Sequence, residues 1–266
     1  MYRIGLSSCF ELNEVNFQNM QKAGLSAVEI SKKPLWYESA DYKAIIAMAN
    51  RYDVQVWSLH LPFEPYIDTF DISSVQKDVR EAALHKWTRI IKEAGDVGID
   101  KFIVHTSGEP IADSERSERV ECAMEFLDKL AEIAFAAGGK IAIEDLPRTN
   151  LGNTAEEMLT LLSANEKLRV CFDTNHLMAD NNTNFLRKLG KKIITTHVSD
   201  YDFVDEKHWM PGEGKVDWKK LVAELKKTGY EGVWMYEVPF ESLPTLIRPR
   251  DLTFEDFYQN AQKILK

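Results

Sequence analysis

The chain has 266 residues, 44% of them hydrophobic and 28% charged, with 13 glycines and 9 prolines, a composition that excludes disorder and collagen-like repeats. Its formal net charge of −9 argues against a nucleic-acid partner, because a phosphate-binding face needs Lys and Arg to displace condensed counterions. No apolar run reaches the roughly 20 residues of a membrane helix. The start, MYRIGLSS, lacks a signal peptide's basic and apolar regions. Three cysteines are poor material for a disulfide framework, so a reducing cytoplasm is the expected location.

Eight short runs rich in Val, Ile and Phe read as strands: 2–8, 26–31, 54–60, 99–106, 140–145, 168–173, 192–199 and 232–238. Segments of helical period lie between them. In SSVQKDVREAALHKWTRIIKEAG, Val75, Val79, Ala83, Trp87, Ile90 and Ala94 fall at three- or four-residue spacing, and Ser73 with Gln76 reads as a capping box at the start. Val120, Met124, Leu127, Ala131 and Ala134 stripe the next helix, which should stop at Gly138-Gly139. Eight strand–helix units without a linker predict one (β/α)8 TIM barrel over residues 1–266. A doubly wound open sheet is the competing architecture, but its usual Gly-rich phosphate turn is missing.

Catalytic side chains of such barrels come from the C-terminal strand ends. Here those ends carry His60, His105, Glu144, Asp173 with His176 beyond it, His197 and Glu237. Taken singly, each is an unremarkable cap or satisfied polar group. Converging on one mouth, they would repel or stay unpaired unless a cation bound there. An oxygen-rich set with one histidine suits Mn²⁺, Mg²⁺, Co²⁺ or Zn²⁺. Alternation along the strands then puts Ala142, Cys171, Thr195 and Met235 beneath the presumed ligands, inside the barrel. Cys171 is expected to be packing, Cys122 to be buried on a helix, and Cys9 to lie near the mouth with nothing to activate it. Trp57 falls out of phase with an inward set of Val56, Ser58 and His60 and is expected under the helices.

The sequence resembles the xylose isomerase-like barrels, specifically their sugar phosphate isomerase/epimerase group, over its whole length. The resemblance rests on LHLPF around His60, IVHTS around His105, IAIEDLPR around Glu144, CFDTNH around Asp173 and His176, HVSD around His197, HWMPGEGKVDW from His208, and the strand carrying Glu237. It implies one divalent metal held by Glu144, Asp173, His197 and Glu237, with the two glutamates as paired acid/base groups on opposite faces of a sugar. It also implies substrate contacts from His176 and from Arg148, although EDLPRTN lacks the Phe-Glu that follows in the ketose epimerases. His60, His105, Glu206 and His208 complete the expected substrate-binding set.

The chemistry implied is proton removal beside a carbonyl, through an enediolate, by one carboxylate and its return by the other. That gives an epimerase; transfer between neighbouring carbons gives an aldose–ketose isomerase, and loss of water an inosose-type dehydratase. A small sugar or polyol is the expected partner, with no nucleic acid and no membrane, and homo-oligomerisation is left open. Type IV apurinic endonucleases share the barrel and hold three zinc ions. His60, His105, His176 and Glu206-Lys-His208 stand at their extra ligand positions, with Glu206 the one departure from Asp. The alternative is therefore a trinuclear-zinc phosphodiesterase. The loop DEKHWMPGEG, which carries Glu206 and His208, is expected to arch over the mouth with Pro211, Gly212 and Gly214 setting its bend. Trp36, Tyr37 and Trp209 are the aromatic candidates for covering a sugar ring.

Overall fold

All eight apolar runs form strands in the computed structural model, which describes residues 2–63 and 70–266. They are β1 (Arg3–Ser7), β2 (Ala27–Ile30), β3 (Gln55–His60), β4 (Lys101–Val104), β5 (Lys140–Glu144), β6 (Arg169–Asp173), β7 (Ile193–His197) and β8 (Val233–Tyr236). Neighbours in sequence are parallel neighbours in the sheet, and β8 returns to β1. The seam between β7 and β8 is joined where Val198 N–H donates to the Met235 carbonyl at 2.8 Å and Glu237 N–H donates to the Val198 carbonyl at 3.1 Å. A single-domain (β/α)8 barrel results.

The helices are α1 (Glu14–Ala23), α2 (Tyr42–Asn50), α3 (Lys77–Gly95), α4 (Arg116–Ala136), α5 (Ala155–Leu162), α6 (Asn182–Leu189), α7 (Trp218–Lys227) and α8 (Phe254–Ile264). Five of them begin at a side-chain cap from Asn13, Asp41, Thr154, Asn181 or Asp217, which accepts a first-turn N–H. Their apolar faces and the outward faces of the strands form one large core, in which Phe17, Trp87, Phe102, Phe172, Phe185, Trp234 and Phe257 are fully enclosed. No helix among the described residues is long and apolar enough to cross a membrane.

Two helix expectations need correction. The helix expected from Ser73 starts at Lys77, and its cap residue Gln76 gives the first turn no side-chain cap. Ser73 instead donates its N–H and its hydroxyl to Asp71, so a turn precedes the helix and Val75 is left 48% exposed rather than buried. The expected stripe holds from Val79 to Ala94. In α4, Leu127, Ala131 and Ala134 are buried while Val120 and Met124 pack at its margin.

Inside the barrel two small apolar clusters are separate from the large core. One holds Ala27, Val233 and Met235, the other Ile103, Ala142 and Cys171. This is the expected inward phase of β5, β6 and β8. The phase of β3 is different. Val28 pairs with Val56 but Glu29 pairs with Ser58, so β3 carries one extra residue, Trp57, against β2. Val56 therefore belongs to the outer core, and Trp57 turns inward onto Ala27, Val233 and Met235, donating its indole N–H to Thr195 Oγ1 at 3.2 Å. Trp57 floors the barrel rather than lying under the helices. A second shift, between Val170 and Cys171 against Ile193 and Thr195, turns Ile194 towards the other interior cluster.

Candidate active site

Strand ends bring the expected residues to one mouth. Glu144 closes β5, Asp173 closes β6 and His197 closes β7, each at most 1% exposed; Glu237 follows β8 directly. One donor atom from each of Glu144, Asp173, His197 and Glu237 lies within 4.8 Å of the others. His197 Nδ1 is 2.9 Å from Glu144 Oε1 and 3.3 Å from Glu237 Oε2. Asp173 Oδ2 and Glu237 Oε2 are buried and accept no hydrogen bond from the described residues. Orphaned carboxylate oxygens around one imidazole nitrogen are what a hard or borderline cation would satisfy, so this donor set fits a divalent metal.

Two further groups lie beside the first, and one of them shares Glu144 with it. His60 Nε2 and His105 Nε2 approach Glu144 Oε2 at 3.0 and 3.1 Å, so the two oxygens of Glu144 face opposite sides of the mouth. Across the mouth, His176 Nε2 lies 3.4 Å from Glu206 Oε2, and His208 completes that group. Three of these histidines are held in the same way. Nδ1 of His60 faces the Leu61 carbonyl at 2.8 Å, Nδ1 of His176 the Asp145 carbonyl at 2.8 Å, and Nδ1 of His208 the Glu237 carbonyl at 3.1 Å. A carbonyl only accepts, so each Nδ1 carries its proton and each Nε2 is turned towards the mouth.

The ionisation pattern follows from crowding. Burial raises the Asp173 carboxyl well above the usual range, and the neighbouring Glu237 and Glu144 charges add to this. Burial also opposes ionisation of Glu144, yet His197 and His105 beside it hold its carboxyl well below the usual range. Glu237 is likewise lowered, with His197 outweighing burial. For Glu206 the His176 hydrogen bond overcomes burial and takes the carboxyl down to about 2. Burial pushes the Cys171 thiol well above its ordinary value, so Cys171 remains a neutral filler beneath Glu144 and His197. Cys9 is exposed and Cys122 only half-buried on α4.

The arm after β7 is built around Asp200. Its carboxylate accepts from Gly212 N–H, Val216 N–H and the Trp218 indole, and its backbone pairs with Trp209. A Cβ at Gly214 would stand 2.3 Å from Asp200 Oδ1 and 2.4 Å from the Tyr201 carbonyl, and Gly212 takes φ +96°, so both glycines are required by the bend. The arm delivers Glu206 and His208 to the cavity. Trp209 instead donates its indole N–H to Thr245 in the loop after β8, fastening the arm there. Trp36 and Tyr37 likewise anchor their loop: Tyr37 is enclosed and donates its hydroxyl to the His60 carbonyl at 2.6 Å, while Trp36 packs on Tyr37 and Tyr42.

A cavity of about 290 Å³ opens above Glu144 and Glu237, and Phe63, His105, Arg148, His176, Glu206 and His208 line it. Arg148 sits at φ +53° and is ion-paired to Glu109, Asp205 and Glu206, which ties the loops after β4, β5 and β7 together at the rim.

Sequence reasoning overlooked the residues beneath the mouth. Glu29 on β2 is fully buried and accepts from Ser7, Ser58 and His197. Asp145, next to Glu144, accepts the Asp173 backbone N–H at 2.8 Å, and burial raises its carboxyl to about 8. The available signal for Glu29 was a glutamate in the middle of the apolar run AVEI.

A family profile described as the xylose isomerase-like TIM barrel matches residues 17–257. The crystal structure of a D-tagatose 3-epimerase-like protein superposes with a TM-score of 0.83 at 24% identity, covering 100% of this chain and 97% of that one. Inosose isomerase of Bacillus subtilis (strain 168) is 27% identical over 162 residues, 56% of this chain and 55% of its own length. Fructoselysine 3-epimerase of Escherichia coli O157:H7 is 28% identical over 120 residues, 43% of this chain and 44% of its own.

Proposed function

The chain belongs to the xylose isomerase-like TIM barrel family, and from that premise we propose that it is a divalent-metal-dependent isomerase or epimerase of a small sugar or cyclic polyol ketone. The observation that carries this reading is the convergence of Glu144, Asp173, His197 and Glu237 donor atoms within 4.8 Å under a cavity of about 290 Å³. Such a volume lies at the small end of ligand pockets, which begin at roughly 300 Å³. The relatives named fructoselysine 3-epimerase and inosose isomerase support the same reading. A metal held by these four residues would polarise a substrate carbonyl and its neighbouring hydroxyl.

The chain's own groups account for the proton transfers. Glu144 and Glu237 are both held ionised by His197 and its neighbours, so either can accept a proton from a substrate carbon placed between β5 and β8. Removal by one and return by the other inverts that carbon, whereas transfer to the adjacent carbon by a single carboxylate isomerises it. His105, His176 and His208 at the cavity wall are the hydroxyl contacts, and Phe63 presents an apolar face to the ring carbons. Arg148 acts by holding Glu206 and Asp205 at the rim. Turnover of a panel of ketoses and inososes, followed by product analysis, tests this reading.

A second reading has a specific observation in its favour. With Nδ1 of His60 and His176 committed to carbonyls, their Nε2 atoms face Glu144 Oε2 and Glu206 Oε2, and a cation could replace the proton that each such pair shares. Two acceptors face each other in each pair unless a proton or a cation lies between them. Cations there would make a trinuclear centre suited to a phosphodiester. The carboxylates of Glu109, Asp205 and Glu206 at the rim and the net charge of −9 disfavour a polyanionic substrate. Metal content of the purified protein separates the two readings: one ion per chain supports the sugar enzyme, three zinc ions the phosphodiesterase.

A further inference from the structure

We propose that Glu29 is a positioning residue that sets which nitrogen His197 offers to the metal centre; this rests on the four-residue metal site proposed above. His197 differs from three other mouth histidines in how it is held. His60, His176 and His208 each lean Nδ1 on a backbone carbonyl and turn Nε2 to the mouth. His197 is reversed: Nδ1 faces Glu144 and Glu237, while Nε2 points down into the barrel and meets Glu29 Oε1 at 2.9 Å. Glu29 is an acceptor, so Nε2 keeps its proton, and a metal that displaces the proton between Nδ1 and Glu144 would meet the Nδ1 lone pair. A charged acceptor also makes the imidazole a stronger donor than a carbonyl would.

Glu29 is itself fixed. Ser7 donates to Oε1 at 3.0 Å and Ser58 to Oε2 at 2.7 Å, and the side chain is fully buried. The irregular pairing of β2 with β3 is what makes this possible. The extra residue Trp57 brings Ser58, rather than Trp57, opposite Glu29, and the tryptophan ring then lies in the barrel floor beside Thr195. A regular pairing would put an indole against the carboxylate and leave Oε2 without its shortest partner. A fully buried carboxylate is expensive to keep in a barrel interior. Packing alone would be served better by an aliphatic side chain, as at neighbouring interior positions Ala27 and Met235.

The test compares wild type with Glu29→Gln, which retains an acceptor oxygen, and Glu29→Leu, which retains bulk alone. Zinc affinity is measured by competition against a chelator. ¹⁵N NMR of the zinc-loaded proteins locates the His197 imidazole proton, assigned by its loss in His197→Asn. The expected result is a protected Nε2–H on His197 in wild type, affinity roughly tenfold weaker in Glu29→Gln and roughly hundredfold weaker in Glu29→Leu, within the range removal of such partners produces. Partial rescue by Gln over Leu separates positioning from space-filling. If Leu prevents folding, Gln decides, and affinity within twofold of wild type overturns the role of Glu29. Zinc binding by wild type with equal affinity in all folded variants does so as well. A wild-type protein that binds no zinc overturns the metal site, and this inference with it.

Discussion

The two ends of the barrel interior have opposite character. At the N-terminal end Ala27, Val233, Met235, Ile103, Ala142 and Cys171 are enclosed, with Trp57 as a floor whose single polar atom is satisfied by Thr195. Among the described residues, four carboxylates and five histidines crowd the mouth at the C-terminal end, and Asp173 Oδ2 and Glu237 Oε2 have no hydrogen-bond partner there. The lower end contributes stability through close packing. The upper end holds charge that the fold alone leaves unsatisfied, the arrangement expected where a site is built for a ligand. Glu29 stands at the boundary, where the polar layer begins.

This contrast is broken most severely by neutralising one mouth carboxylate. Glu144→Gln and Glu237→Gln should fold with little change in Tm and lose turnover by about 10²–10⁴-fold, measured with any substrate found. A comparable loss of Tm in either variant would mean that the mouth is structural. The converse change is Met235→Ala below Glu237, which should cost about 2–5 kcal/mol of stability by denaturant unfolding. Metal affinity per folded molecule should change far less. Gly214→Ala pushes Asp200 out of the base of the arm and displaces Glu206 and His208. We expect about 10–100-fold lower kcat/KM at unchanged metal content, the scale of a displacement near 1 Å.

The smallest effect concerns pH. Burial raises the Asp173 carboxyl, so it keeps a proton to higher pH than an ordinary aspartate, and a metal must displace that proton. Apparent metal affinity should therefore rise with pH through the range where Asp173 is protonated, by about tenfold per unit for one proton released. A flat profile in calorimetry would show that Asp173 is already ionised in the metal-free protein.

The fold was legible because a parallel barrel repeats one local signal: an apolar run, a turn and an amphipathic stripe. Observed strands fall inside the sequence ranges, and the inward phase read for β5, β6 and β8 holds. What failed was phase across irregular pairings. Trp57 and Val56 exchange faces because β3 carries one extra residue against β2, and no period in VQVWSLH marks that. The candidate ligands were legible as strand-end ionisable residues. Glu29 was not, since a lone glutamate in AVEI has no visible partner until Ser7, Ser58 and His197 are brought together from 22, 29 and 168 residues away. Ser73 failed as a cap for a different reason: the nearby Asp71 competes for its hydrogen bonds.

The most direct test of the account is solvent-deuterium incorporation. The metal-loaded protein is incubated in D₂O with common ketoses and inososes, and exchange is followed by NMR at the carbons flanking the carbonyl. The account predicts exchange at one such carbon of at least one compound, abolished in Glu144→Gln and Glu237→Gln and by chelation of the metal. Absence of exchange from every compound, in protein shown to hold its metal, would contradict it.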